Sequence, residues 1–377
     1  MNIQMVDLKG QYQKIKQEVD ARVQGVIESA AFINGPEVKR FEAELAQYLN
    51  VKHVIPCANG TDALQVALMA LGLKPGDEVI TTTFTFIATA EVIALLGLKP
   101  VLVDCDEDTF LISTEAIENA ITDKTKAIIP VHLFGQCSNM EEILSIAKKH
   151  QLFMVEDSAQ SIGASFHFKD GTSMQSGTMG DFGCTSFFPS KNLGCYGDGG
   201  AIFTQDDELA EKARVIVNHG MKVRYYHDEI GVNSRLDSIQ AAILSVKLQY
   251  LDLYNNNRRA AALHYDEAFR GVEQLSIPKR SIHSSHVFHQ YTLKVDGIDR
   301  NELQQYMMQN NVPAMIYYPV PLHQQKAYRD ERYKDGDFPI AEKLSNSVIS
   351  LPMHSELNKL QLNHIAETLL KFINNKR

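Results

Sequence analysis

No apolar run in this 377-residue chain reaches the roughly 18 residues that a membrane-crossing helix needs, and the opening MNIQMVDLKGQYQKIK has no apolar core of a secretory leader. The expectation is a protein that stays in the cytoplasm where it is made. Positive charge is also short. With 37 Lys and Arg against 46 Asp and Glu, the net charge is −9, the wrong sign for a protein that holds nucleic acid mainly through phosphates. Cysteine is sparse, and Cys57, Cys105, Cys137, Cys184 and Cys195 form no CxxC pair, so buried free thiols in a reducing compartment are expected. The chain has no GxxxxGK[ST], HExxH or GxSxG motif, and no GxGxxG follows a strand-like run. The usual markers of P-loop, zincin, α/β-hydrolase and dinucleotide-binding sites are therefore missing, as is any metal-ligand spacing.

What is present reads as a packed α/β protein. The composition, 44% hydrophobic and 22% charged, is globular, and 377 residues exceed the roughly 250 to 300 that one core organises, so two domains are expected. Between residues 50 and 205, runs such as VKHVIPCA, DEVITTTF, KPVLVDC, TKAIIPVHLFG and FMVEDSA are nearly continuously apolar, as strands buried on both faces are. Segments of helical period, ALQVALMALGL and NMEEILSIAKKH among them, alternate with these runs. This predicts a mostly parallel sheet with helices on both faces. FGCTSFF and GAIFT lack an intervening helix and should pair directly, making the sheet mixed. Helical pattern then continues over about 235–270, which predicts one long helix bridging a large domain, 1–246, to a small C-terminal α/β domain, 247–377. In the small domain FHQYTLKVDG reads as a strand, NELQQYMMQNN as a helix, and IAEKLSNSVISLPM as helical.

Four segments at predicted strand ends could carry chemistry, since ligands of such sheets collect there. In Ala58-Asn59-Gly60-Thr61-Asp62, the Gly-Thr pair can offer N–H groups and a hydroxyl to a phosphate at a helix start, although on this segment alone plain capping by Asn59, Thr61 or Asp62 is the favoured explanation. Asp157 follows the apolar run FMV and should emerge at a sheet edge as a cap or a site residue. Lys191 lies between Phe187-Phe188-Pro189 and a glycine-rich turn, surroundings that desolvate an amine and suit a Schiff-base lysine. In Gly231-Val232-Asn233-Ser234-Arg235-Leu236-Asp237, capping of the long helix by Asn233 or Ser234 is a sufficient local explanation. Together, an acid that keeps a pyridine nitrogen protonated, a lysine for an imine and a phosphate cup are what pyridoxal 5'-phosphate requires.

With ANGTDAL, EDSAQSIGA, TSFFPSKNLGCYGDGGAIFT and GVNSRLDSIQAAIL in view, nearly the whole chain resembles the pyridoxal-phosphate-dependent sugar aminotransferases of the DegT/StrS group. The resemblance implies a fold like aspartate aminotransferase. It also implies that Lys191 bonds the cofactor and moves the proton, that Asp157 pairs with the ring nitrogen, and that Gln160 meets the ring phenolate oxygen. Phe86 would cover the ring face, and Gly60, Thr61 and Ser186 would hold the phosphate. Asn233 would reach that phosphate from a partner subunit, implying a homodimer with shared active sites. Arg235 would meet a substrate carboxylate, and Tyr317 and Tyr318 would lie near the sugar, although related enzymes can carry His at the first of these two positions. The resemblance is greatest to enzymes that move an amino group from L-glutamate to C3 of UDP-2-acetamido-2-deoxy-3-oxo-glucuronate for surface polysaccharides, the O-antigen of lipopolysaccharide among them. The alternatives are a UDP- or dTDP-linked keto sugar aminated at another ring position, a non-catalytic regulator that binds the cofactor, and, last, a nicotinamide enzyme.

Overall fold

The computed structural model describes residues 3–376. Its centre is a seven-stranded sheet of β1 (His53–Cys57), β2 (Glu78–Thr82), β3 (Lys99–Val103), β4 (Thr125–Ile129), β5 (Phe153–Asp157), β6 (Phe182–Ser186) and β7 (Gly200–Thr204). Across the sheet the order is β1-β7-β6-β5-β4-β2-β3. The run from β6 to β3 is parallel, whereas β7 is antiparallel to both of its neighbours. The direct pairing of FGCTSFF with GAIFT is thus borne out, with Gly183 opposite Phe203 and Ser186 opposite Gly200.

Alternation along each strand divides the core between the two faces of the sheet. On one face Ile55, Val155, Phe182 and Ile202 pack with the alanine-rich helix Gly60–Ala70. On the other, Val54 and Phe203 meet Phe41, Leu45 and Leu244 from the helices Pro36–Leu49 and Ser238–Leu248. Helix Met140–His150 has Glu141 and Glu142 in its first turn and Lys148, Lys149 and His150 in its last, charges placed to oppose the backbone dipole.

A second core forms around the antiparallel strands β8 (Leu275–Ser276), β9 (Tyr291–Val295) and β10 (Val348–Leu351), with Tyr265, Phe269, Leu303, Ile365 and Phe372 closing it. Two readings of the sequence need correction here. The helix expected to run unbroken over 235–270 is two helices, Ser238–Leu248 and Leu251–Phe269. Between them Tyr250 has φ −104° and ψ −1°, and the N–H groups of Gln249 and Tyr250 donate three residues back, to Val246 and Lys247. The chain tightens and turns without a Gly or Pro to mark it in the sequence. Within IAEKLSNSVISLPM, only Pro339–Ser347 is helical; Val348–Leu351 is an edge of the small sheet, as four consecutive buried residues, two of them β-branched, favour.

Candidate active site

Asp157 ends β5, and its backbone is fixed from both directions. Its N–H donates to Pro130 O at 2.9 Å and its carbonyl accepts from the His132 N–H at 3.0 Å. In the side chain, Oδ2 accepts from the Thr89 hydroxyl at 2.8 Å and Oδ1 from the Ala159 N–H at 3.2 Å. Burial pushes the carboxyl above the usual aspartate range, and these two donors, with the nearby charge of Lys191, oppose that push. Its neighbour Glu156 faces the other way and is saturated. His132 Nε2 donates to it at 2.8 Å, and the N–H groups of Gly177, Met179 and Gly180 donate at 2.9, 2.6 and 2.7 Å. Of two consecutive buried acids, then, Glu156 has used its acceptor capacity inside the fold, whereas Asp157 retains lone pairs toward a cavity.

That cavity measures about 820 Å³ and is lined by Lys191 as well as Asp157. Lys191 leaves the end of β6 in a loop closed by hydrogen bonds from Lys191 N to Phe188 O at 2.8 Å and from Cys195 N to Phe187 O at 2.8 Å. The following residue anchors it, since Asn192 Nδ2 donates to Asn255 Oδ1 at 2.7 Å and to Val287 O at 3.0 Å. Burial of the amine pushes Lys191 down to about 8, against the smaller upward pull of the Asp157 charge. Cys184 and Cys195, on either side of the loop, are buried, and burial raises both thiols. They are packing residues, not nucleophiles.

The helix Gly60–Ala70 points its N-terminus at the same cavity. Capping is observed: Asn59 Oδ1 accepts from the Asp62 N–H at 2.8 Å. The cap serves the third helical residue and leaves the N–H groups of Gly60 and Thr61 with no acceptor in the helix. A Cβ on Gly60 would stand 2.6 Å from Ser186 Cβ, so only glycine lets the helix start sit against the end of β6. Ser186 therefore shares the cup with Gly60 and Thr61. On the remaining walls Phe86 is 55% exposed toward open space, its ring 6.3 Å from that of Tyr318. Gln160 Oε1 accepts from Phe134 N at 2.8 Å and its Nε2 donates to the Tyr318 hydroxyl at 3.2 Å. Tyr317 lines the cavity beside them.

Nine of the expected residues thus meet in one place: Gly60, Thr61, Phe86, Asp157, Gln160, Ser186, Lys191, Tyr317 and Tyr318. Asn233 and Arg235 do not line it. Asn233 is exposed and forms an isolated bridge with Asn218, while Arg235 borders a separate hollow with Arg214 and Glu42. Neither Asn233 nor Ser234 caps a helix. The N-cap is Asp237, and Ser234 Oγ accepts from Ala58 N at 3.0 Å, bracing the phosphate-cup loop from behind. Sequence reasoning missed Thr89 and His289. Thr89 lies inside an ordinary helix, Ala88–Leu95, and nothing near it in sequence points to Asp157.

The donor set fits pyridoxal phosphate. A buried carboxylate with spare lone pairs suits a protonated ring nitrogen, a desolvated amine suits the aldehyde, and a helix start with uncommitted N–H groups suits the phosphate. Fold and site together define a pyridoxal-phosphate-dependent aminotransferase. The chain belongs to the DegT/DnrJ/EryC1/StrS aminotransferase family, whose model matches residues 13–370. It is 48% identical to a Geobacillus stearothermophilus protein named pleiotropic regulatory protein, over 99% of both chains. It is 46% identical to UDP-2-acetamido-2-deoxy-3-oxo-D-glucuronate aminotransferase of Pseudomonas aeruginosa, over 97% of this chain and 99% of that one. Among solved structures, S. venezuelae DesV in complex with a ketimine intermediate superposes with a TM-score of 0.94 at 36% identity, covering 98% of each chain.

Proposed function

We propose that this aminotransferase moves the amino group of L-glutamate to C3 of a UDP-linked 3-oxo sugar, UDP-2-acetamido-2-deoxy-3-oxo-glucuronate or a close analogue, in surface polysaccharide assembly. The observation that carries the amino-transfer chemistry is Lys191 and Asp157 facing one cavity that also receives the start of helix Gly60–Ala70. The sugar class rests on the 46% identity to the Pseudomonas aeruginosa enzyme.

Pyridoxal phosphate, when bound, supplies an electron sink for the carbon that loses its proton. Everything else is done by this chain. Asp157 would hold the ring nitrogen protonated, and Thr89 and Ala159 hold Asp157. The N–H groups of Gly60 and Thr61 and the Ser186 hydroxyl would hold the phosphate, Phe86 would cover a ring face, and Gln160 would offer the phenolate oxygen the amide hydrogen that Tyr318 does not take. Lys191 is the base and acid. An amine near 8 is neutral often enough at working pH to accept the proton, and protonated often enough to return it. Tyr317 and Tyr318 shape the sugar side of the cavity.

We read the working unit as a cytoplasmic homodimer. Asn233 and Arg235 lie beside an exposed hairpin, Met221–Val223 with Tyr226–His227, and Tyr225 and Ile230 there are 76% and 87% exposed. A second copy seated on this surface would bury these two side chains and bring Asn233 to the phosphate and Arg235 to a substrate carboxylate. Among the described residues no helix is long and apolar enough to cross a membrane, in keeping with this assignment. We read the chain as a large domain, 1–246, that would hold the cofactor and a small domain, 247–377, that would close the cavity.

The test is incubation with L-glutamate and enzymatically generated UDP-3-oxo-uronate, with mass spectrometry for the amino sugar and 2-oxoglutarate. Release of 2-oxoglutarate without this amino sugar would move the assignment to another sugar. The name of the Geobacillus stearothermophilus relative favours one other reading, a regulator that binds the cofactor without turnover. No 2-oxoglutarate with any keto sugar nucleotide in a panel would decide for it.

A further inference from the structure

His289 lines the same cavity as Lys191 and Asp157, yet none of the roles above uses it. It is 6% exposed, and its Nδ1 is buried without a hydrogen-bond partner among the described residues. The segment that carries it is held on several sides. Arg258 Nη1 donates to the carbonyls of Phe288, His289 and Met353 at 3.2, 3.3 and 2.8 Å. Asn192, next to the Schiff-base lysine, donates to Val287 O. The rings of His286 and Phe288 stack with centroids 3.8 Å apart. A phenylalanine or leucine would fill the volume of His289 without an orphaned polar atom, so packing alone does not account for an imidazole there.

Its charge state narrows what it can do. Burial first, and then the positive charges of Lys191 and Arg258, hold His289 well below the usual histidine range, so the ring is neutral near pH 7 and carries one N–H. A donor sealed at Nδ1 would be an orphaned N–H, which folded proteins tolerate less than an unfilled acceptor. The proton therefore belongs on Nε2, and Nε2 is the polar atom that this ring can offer to the cavity.

We propose that His289 is a substrate-binding residue of the amino-transfer site, donating from Nε2 to an oxygen carried beside the reacting carbon. In an amino acid that oxygen belongs to the α-carboxylate, and in an oxo sugar to a hydroxyl next to the ketone. The proposal rests on the amino-transfer reading and adds a contact to the oxygen neighbour of the carbon whose proton Lys191 moves. No bond is made or broken at His289.

The test compares wild type with His289→Phe, His289→Gln and His289→Asn, each loaded with cofactor and checked by thermal unfolding. Glutarate, which has the two carboxylates of glutamate but no amine to react, is titrated calorimetrically. The glutamate and sugar half-reactions are then followed separately in single turnovers. His289→Phe should weaken glutarate about tenfold or more, the loss expected of a hydrogen bond to a charged group. His289→Gln, whose amide reaches about as far as Nε2, should recover most of this, and the shorter His289→Asn should not. If glutarate binding is unchanged but His289→Phe raises the half-saturating sugar concentration severalfold with Gln rescue, the oxygen is the sugar hydroxyl. Wild-type behaviour of His289→Phe in all three measurements overturns the proposal, as does equal weakness of the Phe and Gln variants. Should His289→Phe not fold, the Gln and Asn pair carries the same comparison. A wild type that binds glutarate through His289 but releases no 2-oxoglutarate would refute the amino-transfer reading alone.

Discussion

Two lysines that meet at one loop, Lys191 half-buried at a cavity wall and Lys247 fully buried, carry nearly the same electrostatic signature in different settings. Lys191, at the end of β6, and Lys247, at the end of helix Ser238–Leu248, are each pushed by burial down to about 8. Lys247 is 1% exposed, donates to Gly194 O, and lies over the Tyr196 ring at 5.3 Å from its centroid. It holds a carbonyl of the same loop that carries Lys191. A depressed amine is thus a mark of burial, not of catalysis. What separates the two is the direction each faces: Lys191 opens on a cavity with a carboxylate and a helix start, whereas Lys247 ends on a carbonyl and an aromatic face.

The largest expected difference follows from replacing each amine. Lys191→Ala should bind cofactor without the yellow colour of a Schiff base and lose amino transfer by on the order of 10⁴-fold or more, since both the covalent anchor and the proton carrier are gone. Turnover comparable to wild type in that variant would end the assignment of Lys191. Asp157→Asn comes next. The amide keeps the shape but not the charge, and kcat/KM should fall on the order of 10²-fold, as when a buried hydrogen-bonded charge pair loses one partner. Steady-state kinetics at saturating cofactor would show this, and an unchanged kcat/KM would mean that Asp157 is only a cap.

Lys247→Met should behave in the opposite way from Lys191→Ala. An apolar side chain of similar length replaces a buried cation, an exchange that is often neutral or stabilising. Colour should remain and kcat should change less than about fivefold. A colourless Lys247→Met protein would erase the distinction between the two lysines and make Lys247 part of the site.

The same distinction decides what could be read from the sequence. Lys191 was legible because Phe-Phe-Pro on one side and Gly-Cys-Tyr-Gly on the other lie within a few residues of it. Asp157 was legible because β5 is apolar up to its last two residues. The parallel sheet and its reversed strand followed from run lengths and from one missing helix. Contacts made across the fold left no such local trace. Thr89 reaches Asp157 over 68 positions, and Lys247 reaches Gly194 over 53. His289 sits in a strand approach, HVFHQYT, that reads as ordinary β pattern. The break at Tyr250 escaped because helical period continues through it and only backbone angles change. Asn233 and Arg235 were matched by resemblance, and one chain alone does not bring them to the cavity.

The smallest effect sharpens the comparison most, because it isolates Lys247. In cofactor-loaded enzyme the proposed Schiff base would occupy the Lys191 amine, leaving Lys247 as the depressed lysine that still titrates. Its folded-state value of about 8 lies below the ordinary 10.5. Between those values the unfolded chain binds more protons than the folded one, so this group makes stability rise with pH across the window; below about 8 both states are protonated and its penalty is constant. Lys247→Met should therefore equal or exceed wild type in stability at pH 7 and lose that advantage toward pH 10. The change should be at most about 3 kcal/mol, the free-energy equivalent of the shift. Denaturant unfolding of both proteins at a series of pH values measures it as a difference, so the tyrosines and other groups common to both cancel. A difference that stays flat from pH 7 to pH 10 would mean that Lys247 keeps an ordinary pKa, and burial would then no longer be what the two lysines share.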